Sequence, residues 1–333
     1  MNKQRRQHVI TAVAAAGGLA LFTYSVRDVG ADEILNGIHR VGWGLMPILA
    51  LAGLRFVLRA EAWRLCTPVN SRLTLRQAFV AFLAGDALGN VTPLGLIASE
   101  PTKVFLTRHH LATSESVASL AIDNLVYGLS VVTMIAAGVI VMLVTVPLPF
   151  EVQEWSFMLL AALVVISVAS LRIFRHRPGP SQTSGQSFAA KLWRLRQSVR
   201  DFSAGNPSRL WRAFVFDVLF HAAAVFEAYL TLEWLLGDAS PTFAEAIMFE
   251  SLNRVVTVVF KFVPLRVGVD EAISGAFAPL LGLAAASGVA LAVIRKVRSL
   301  FWMALGLLFI AFSHYVQTSP ARNPPESVHA HRT

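Results

Sequence analysis

Two glutamates set in apolar stretches broken by proline and glycine are the residues best placed to do chemistry. Pro93-Leu-Gly-Leu-Ile-Ala-Ser-Glu100 and Pro264-Leu-Arg-Val-Gly-Val-Asp-Glu271 each put a glutamate seven residues after a proline. An ionisable side chain is costly in hydrocarbon unless it is paired or hydrated, so such residues mark substrate sites, ion pairs or proton carriers. Glu100 and Glu271 suit a cationic headgroup or a proton; each also suits capping of a short helix limb, because carboxylates favour helix N-termini. Asp123 and Arg295 stand at matching places in two long apolar runs, where a buried Asp123–Arg295 pair is expected. Arg295, together with Lys296 and Arg298, equally suits a lipid phosphate. Arg254 and Arg266 are further phosphate candidates, and Lys261, near a helix end, is the weakest of them. Asp86 and Asn90 share one helical face at i, i+4 and suit a polar cavity wall or satisfaction of a broken backbone.

Catalytic patterns are lacking. The sequence contains no G-x-S-x-G, P-loop or H-E-x-x-H motif, and no catalytic residue, metal or cofactor is expected. An enzyme acting on a lipid headgroup would need an acid–base pair converging at one interface, for example His109 with Asp86; beside Arg108, His109 and His110 read more simply as interface anchors. Cys66 is the single cysteine, which excludes an intrachain disulfide and a cysteine metal site.

The elements that must position these residues are helices in lipid. Hydrophobic residues make up 55% of the 333, charged residues 15%, and the mean hydropathy is +0.58. A soluble domain carries about 25% charged residues, so the apolar excess calls for another solvent. Runs over 9–26, 41–58, 117–146, 155–173, 213–236 and 288–315 have the roughly 20-residue length of a membrane span. Barrel-like alternation in ten-residue segments is not found. The net charge of +9 comes from basic residues at the ends of these runs, which fits helix orientation and anionic headgroups rather than nucleic acid. Residues 1–25 resemble a signal peptide but read better as a retained first helix.

The expected fold is an all-α polytopic membrane protein of about six full spans plus two re-entrant broken-helix hairpins. Lys3, Arg5 and Arg6 place the N-terminus in the cytoplasm; Arg55, Arg59, Arg64, Arg72 and Arg76 put the end of the second span there too, as does the basic loop 174–212. The segment 77–108 is apolar but interrupted by Gly85, Asp86, Gly89, Asn90, Pro93 and Gly95, with basic residues at both ends. It reads as a hairpin that enters and returns, since broken backbone at membrane depth must be covered by protein or water. Pro264 and Gly268 break the second such segment. Thr74-Leu-Arg-Gln-Ala78 echoes Thr242-Phe-Ala-Glu-Ala246, and the offsets of 168, 171 and 172 between matching segments indicate a duplication, repeat A over 9–146 and repeat B over 155–316, inverted relative to each other. A competing topology ends one span at Ile294 and starts another at Leu300. One transmembrane domain over 1–317 with a mobile polar tail 318–333 is expected; His329 and His331 in that tail read as solvated.

These residues resemble the transmembrane region of lysylphosphatidylglycerol synthases and their stand-alone flippase-like relatives. The similarity rests on Arg59-Ala-Glu-Ala-Trp63-Arg64, Asn90-Val-Thr-Pro93…Glu100, Asp123, Pro264…Glu271 and Arg295. The resemblance implies that the chain moves or binds a phospholipid, isoprenoid or glycolipid in the bacterial cytoplasmic membrane, without the separate domain that makes an aminoacylated lipid. Membrane lipids are the implied partners, with lipid-biosynthesis enzymes at the cytoplasmic face. Non-transporting membership of a lipid-synthesis pathway is the other reading. Ala98-Ser99 replace a glycine pair common in the family, and Arg266 stands in a loop that is usually glycine-rich, so the particular lipid is left open.

Overall fold

Helix is the only regular structure among the described residues, which in this computed structural model are 32, 36, 39–91, 95–175, 188–237 and 240–318. Among the described residues ten α-helices follow one another: α1 (Leu45–Leu65), α2 (Leu75–Val91), α3 (Gly95–Thr107), α4 (Thr113–Thr145), α5 (Phe150–Arg175), α6 (Phe188–Gly205), α7 (Pro207–Leu236), α8 (Phe243–Val259), α9 (Val269–Phe277) and α10 (Ala285–Thr318). A 3₁₀ turn at Gly42–Gly44 leads into α1. Among the described residues four helices are long and apolar enough to cross a membrane: His39–Leu65, Thr113–Thr145, Phe150–Arg172 and Pro207–Leu236. α10 has the length but carries Arg295, Lys296 and Arg298 in its apolar part. The first apolar run, 9–26, lies outside the described residues, as do most of the tail 318–333 and Pro93.

Side-chain contacts fix the helix directions. Arg40 near the start of α1 donates to the Leu235 carbonyl, and Arg209 at the start of α7 donates to that of Leu65, so α1 and α7 run antiparallel. Trp63 meets Ser119 and Arg59 meets Asp123, which makes α4 antiparallel to α1. α10 runs against α7, with Leu291 packed beside Leu232 and Leu235 and Arg298 bonded to Glu227.

Two helix pairs start and finish at one end of the bundle. α2 leaves beside the C-terminus of α1, and α3 returns to bring Leu111 back against Trp63 and Leu73. Gly85 of α2 lies against the Lys103 side chain and the Ser99 backbone of α3, a closeness that only a missing Cβ allows. α8 leaves from the opposite end, and α9 returns there, with Ala278 packed on Val41 and Leu235. Both pairs open on the same device. Thr74 and Gln77 cap each other's backbone N–H groups, and so do Thr242 and Glu245 168 positions later.

The packing repeats at that interval. Gly138 of α4 lies against Ser251 of α8, and Gly306 of α10 lies against Leu83 of α2; residue 306 follows 138 by 168, and 251 follows 83 by 168.

Three expectations change. The stretch 174–212 is not a plain loop: it holds α6 and the first turn of α7. α6 is amphipathic, with Val199 and Ser203 buried and Leu195 and Phe202 packed toward α1, α4 and α7, while Arg194 and Arg196 face outward. Arg55 and Arg59, read as end-of-span markers, are buried inside the bundle. The break between Ile294 and Leu300 does not occur, because α10 is continuous through it.

Candidate functional site

The bundle interior holds a chain of ion pairs rather than a plain apolar core. Arg59 of α1 donates to Asp123 of α4 at 2.8 Å and to Asp217 of α7. One turn earlier on α1, Arg55 donates to Glu227 of α7 at 2.9 Å, and Arg298 of α10 binds the other oxygen of Glu227. Glu250 of α8 is held by Arg254 from its own helix and by Arg295 of α10 at 3.2 Å. Arg254 also reaches the Tyr127 hydroxyl at 3.3 Å. Every one of these carboxylates is at most 2% exposed. Removing water this thoroughly is tolerable because each charge keeps an opposite partner and a hydrogen bond.

Aromatic rings complete the lining. The Arg59 guanidinium lies 4.1 Å over the Tyr127 ring and 5.1 Å from that of Phe82, and Arg55 lies 4.6 Å over Phe220. Such stacking favours guanidinium over ammonium at these positions.

Charge is unevenly distributed. Around Glu227 and Glu250 stand four guanidinium groups, Arg55, Arg254, Arg295 and Arg298, giving two positive charges beyond the carboxylates. Around Arg59 stand two carboxylates for one cation. The first cluster can accept an anion; the second cannot.

The two glutamates that follow the breaks differ. Glu271 is 0% exposed and does two things: Oε2 accepts the Gly268 N–H at 2.8 Å, capping α9, and Oε1 accepts Lys296 Nζ at 2.5 Å. Gly268 takes φ +80°, which frees its N–H for that bond. Leu265 and Arg266 take φ +51° and +47°, a left-handed conformation uncommon for residues other than glycine. Arg266 pairs with Asp270 at 3.1 Å rather than lying free for a phosphate. Glu100 of α3 pairs with Lys103 at 3.0 Å and keeps a side chain 23% exposed. It stands at a groove of about 570 Å³ between α3 and α4, otherwise lined mainly by apolar groups such as Val104, Phe105, Val117 and Leu120.

The predicted Asp123–Arg295 pair is not formed. Asp123 belongs to Arg59 and Arg295 to Glu250. The physical reason is register: with the 168-residue interval set by the glycine contacts, the counterpart of Asp123 is Leu291 and that of Arg295 is Tyr127. An interval of 172 is one helical turn too long. Asp86 bonds Asn90 at 2.9 Å, as the i, i+4 spacing allows. His109 is exposed past the end of α3 and bonded to Arg108, so it does not converge with Asp86, which lies beside the middle of α3. Gly95 opens α3 and Pro264 opens the 3₁₀ turn before α9.

Asp217, His221, Glu227 and Glu250 were not among the residues singled out from the sequence; Arg55 entered only through topology, and Arg59 through topology and the Arg59–Arg64 motif. A usable signal existed. Asp217, His221 and Glu227 lie within one apolar run, and Glu227 stands 168 positions after Arg59.

A helical bundle with membrane-length helices around a buried ion network defines an integral membrane protein. The chain belongs to the family described as lysylphosphatidylglycerol synthase TM region, whose sequence model matches residues 9–306. It is thus a membrane protein of a family tied to lipid metabolism. No curated protein and no solved structure matches the chain.

Proposed function

We propose that this protein is a flippase-like lipid translocase, with α2–α3 and α8–α9 as re-entrant hairpins of an inverted repeat. The observation that carries the reading is the arginine cluster at Glu227 and Glu250, which is buried and has two positive charges to spare. A lipid phosphate supplies the missing anion, with Arg55, Arg295 and Arg298 as its contacts; guanidinium groups match phosphate oxygens in geometry as well as charge. The groove at Glu100 suits an acyl chain lying between α3 and α4. Its carboxylate and that of Glu271, tied to the two hairpins, suit the polar part of a headgroup or the hinge that holds it.

The repeat is supported by the antiparallel α1 and α7, by the two matching capping boxes and by the two glycine contacts 168 residues apart. Paired broken helices in inverted repeats place a transporter's site at their interface, and alternating access then follows from rocking one repeat against the other. In this reading the protein sits in a bacterial cytoplasmic membrane, its N-terminus in the cytoplasm. The basic outer face of α6 lies at that surface, where it meets anionic headgroups or lipid-biosynthesis enzymes. The chain acts without a cofactor and without changing its lipid covalently.

The test is leaflet-resolved movement of labelled lipids by the purified protein in liposomes. Wild type is expected to move an anionic, aminoacylated or isoprenoid lipid, and Glu271→Gln and a double Arg295→Gln, Arg298→Gln variant are expected to lose that movement. Equal rates in liposomes with wild type and with the double variant would sink the phosphate assignment. A covalently altered lipid recovered from the assay would instead establish an enzyme.

A further inference from the structure

At the Arg59 site two buried carboxylates share one cation. Asp123 and Asp217 approach one guanidinium from α4 and α7, and are 1% and 0% exposed. Asp217 uses Oδ1 for Arg59; its Oδ2 is buried and has no hydrogen-bond partner among the described residues. One turn along α7, His221 is 3% exposed, with Nε2 3.2 Å from Ser130 and a buried Nδ1 that is likewise without a partner. A surplus charge and an orphaned oxygen are each expensive away from water. A proton on Asp217 Oδ2 removes the surplus charge and leaves a neutral group, which costs less to bury than a carboxylate oxygen.

The neighbours leave that role to Asp217. From α1 come Arg59 and, near its end, the Cys66 thiol; from α4 come Asp123 and Tyr127. Lys103 and Glu100 of α3 act on Asp123 at longer range and are paired with each other. On the His221 side stand Arg55, Arg254 and Glu250, each already held in the neighbouring cluster.

The charges of the network described above are balanced. Its cations are Arg55, Arg59, Lys103, Arg254, Arg295, Lys296 and Arg298, and its carboxylates Asp86, Glu100, Asp123, Asp217, Glu227, Glu250 and Glu271, seven of each. An anion arriving at Arg55, Arg295 and Arg298 answers their local excess and leaves these groups together one charge negative. Arg55 is one turn from Arg59, so that anion sits roughly 10 Å from the surplus carboxylate. At that separation two like charges in a protein interior oppose each other by about tenfold in affinity.

We propose that the Arg59–Asp123–Asp217 triad is a proton-binding site coupled to the anion site, protonation at Asp217 Oδ2 rising as an anionic headgroup is bound. This rests on the translocase reading for the identity of the anion, which is a phosphate-bearing lipid headgroup. The step is a proton moving from water to a carboxylate oxygen; no other bond is made or broken. Proton and anion favour each other's binding about tenfold by the same linkage.

Purified protein in weakly buffered detergent is titrated with a short-chain phosphatidylglycerol while a pH-indicator dye reports proton uptake and calorimetry reports binding. At the pH where the site is about half protonated, wild type is expected to take up about half a proton per lipid bound, the limit that a tenfold coupling sets, with none taken up on adding a short-chain diacylglycerol. Asp217→Asn, which imitates the protonated side chain, is expected to bind the lipid with no uptake. Phosphatidylglycerol bound without proton uptake, or uptake unchanged in Asp217→Asn, overturns the coupling and leaves the lipid site standing. No binding of phosphatidylglycerol removes the anion site and the coupling with it. If Asp217→Asn does not fold, infrared spectroscopy of the wild type decides: a buried carboxylic-acid C=O band must grow when the lipid is added, and its failure to do so overturns the proposal.

Discussion

Arg59 holds two carboxylates and Glu250 holds two arginines, and this difference in multiplicity separates the consequences of losing a cation. Arg59→Ala strands Asp123 and Asp217 together in the interior, and breaking a buried pair costs about 3–5 kcal/mol. Thermal unfolding in detergent is expected to show that loss, with partial rescue when Asp217→Asn is added. Arg295→Ala leaves Glu250 its bond to Arg254, and is expected to cost about 1 kcal/mol, the net worth of one hydrogen bond. Equal losses for the two would mean that the pairing in the folded protein differs from the one described. At this scale the sequence told which residue types matter but not who meets whom. Asp123 and Arg295 were both visible as charges in apolar runs, yet a pairing across four helices depends on a register that one helical turn undoes. Asp217 and Glu227 were hidden by the apolar residues around them, although their cost in hydrocarbon was as legible as that of Asp123.

Helices and their crossings were the more readable level. Runs of apolar residues located α1, α4, α5 and α7 because hydrocarbon demands length, and the prolines and glycines before Glu100 and Glu271 located the two breaks. α6 was missed because its basic outer face lowers its hydropathy to that of a loop, and only the spacing of Leu195, Val199 and Phe202 betrays it. Element packing yields a symmetric expectation. Gly138→Leu and Gly306→Leu each push a side chain into a facing helix, Ser251 in one case and Leu83 in the other, and each is expected to destabilise by about 1–3 kcal/mol. Thr74→Ala and Thr242→Ala remove matching caps and are expected to cost about 1 kcal/mol each. Paired unfolding midpoints within each set test the repeat directly; a large effect at one member and none at its counterpart would count against it.

For the whole molecule, the helix directions put the α1–α2 and α6–α7 connections at one end and the α4–α5 and α7–α8 connections at the other. In a Cys66→Ala background, cysteines at Asn70 and Ser208 are expected to react with an impermeant maleimide from one side of the membrane, and cysteines at Glu151 and Ser240 from the other. Labelling of all four from one side would disprove the spanning arrangement. The +9 net charge does not describe the interior. It belongs to the surface and the ends, while the buried network sums to zero, a distinction that composition averages away.

That zero sum has an electrical meaning. A carrier that loads an anion without compensation moves against or along the membrane voltage, at about 2.3 kcal/mol per charge for every 100 mV. If Asp217 takes a proton each time the arginine cluster takes a phosphate, the loaded protein is as neutral as the empty one. Vesicles clamped at different potentials should then show one rate, while vesicles given a pH difference should not. The battery that such a protein draws on is chemical and not electrical.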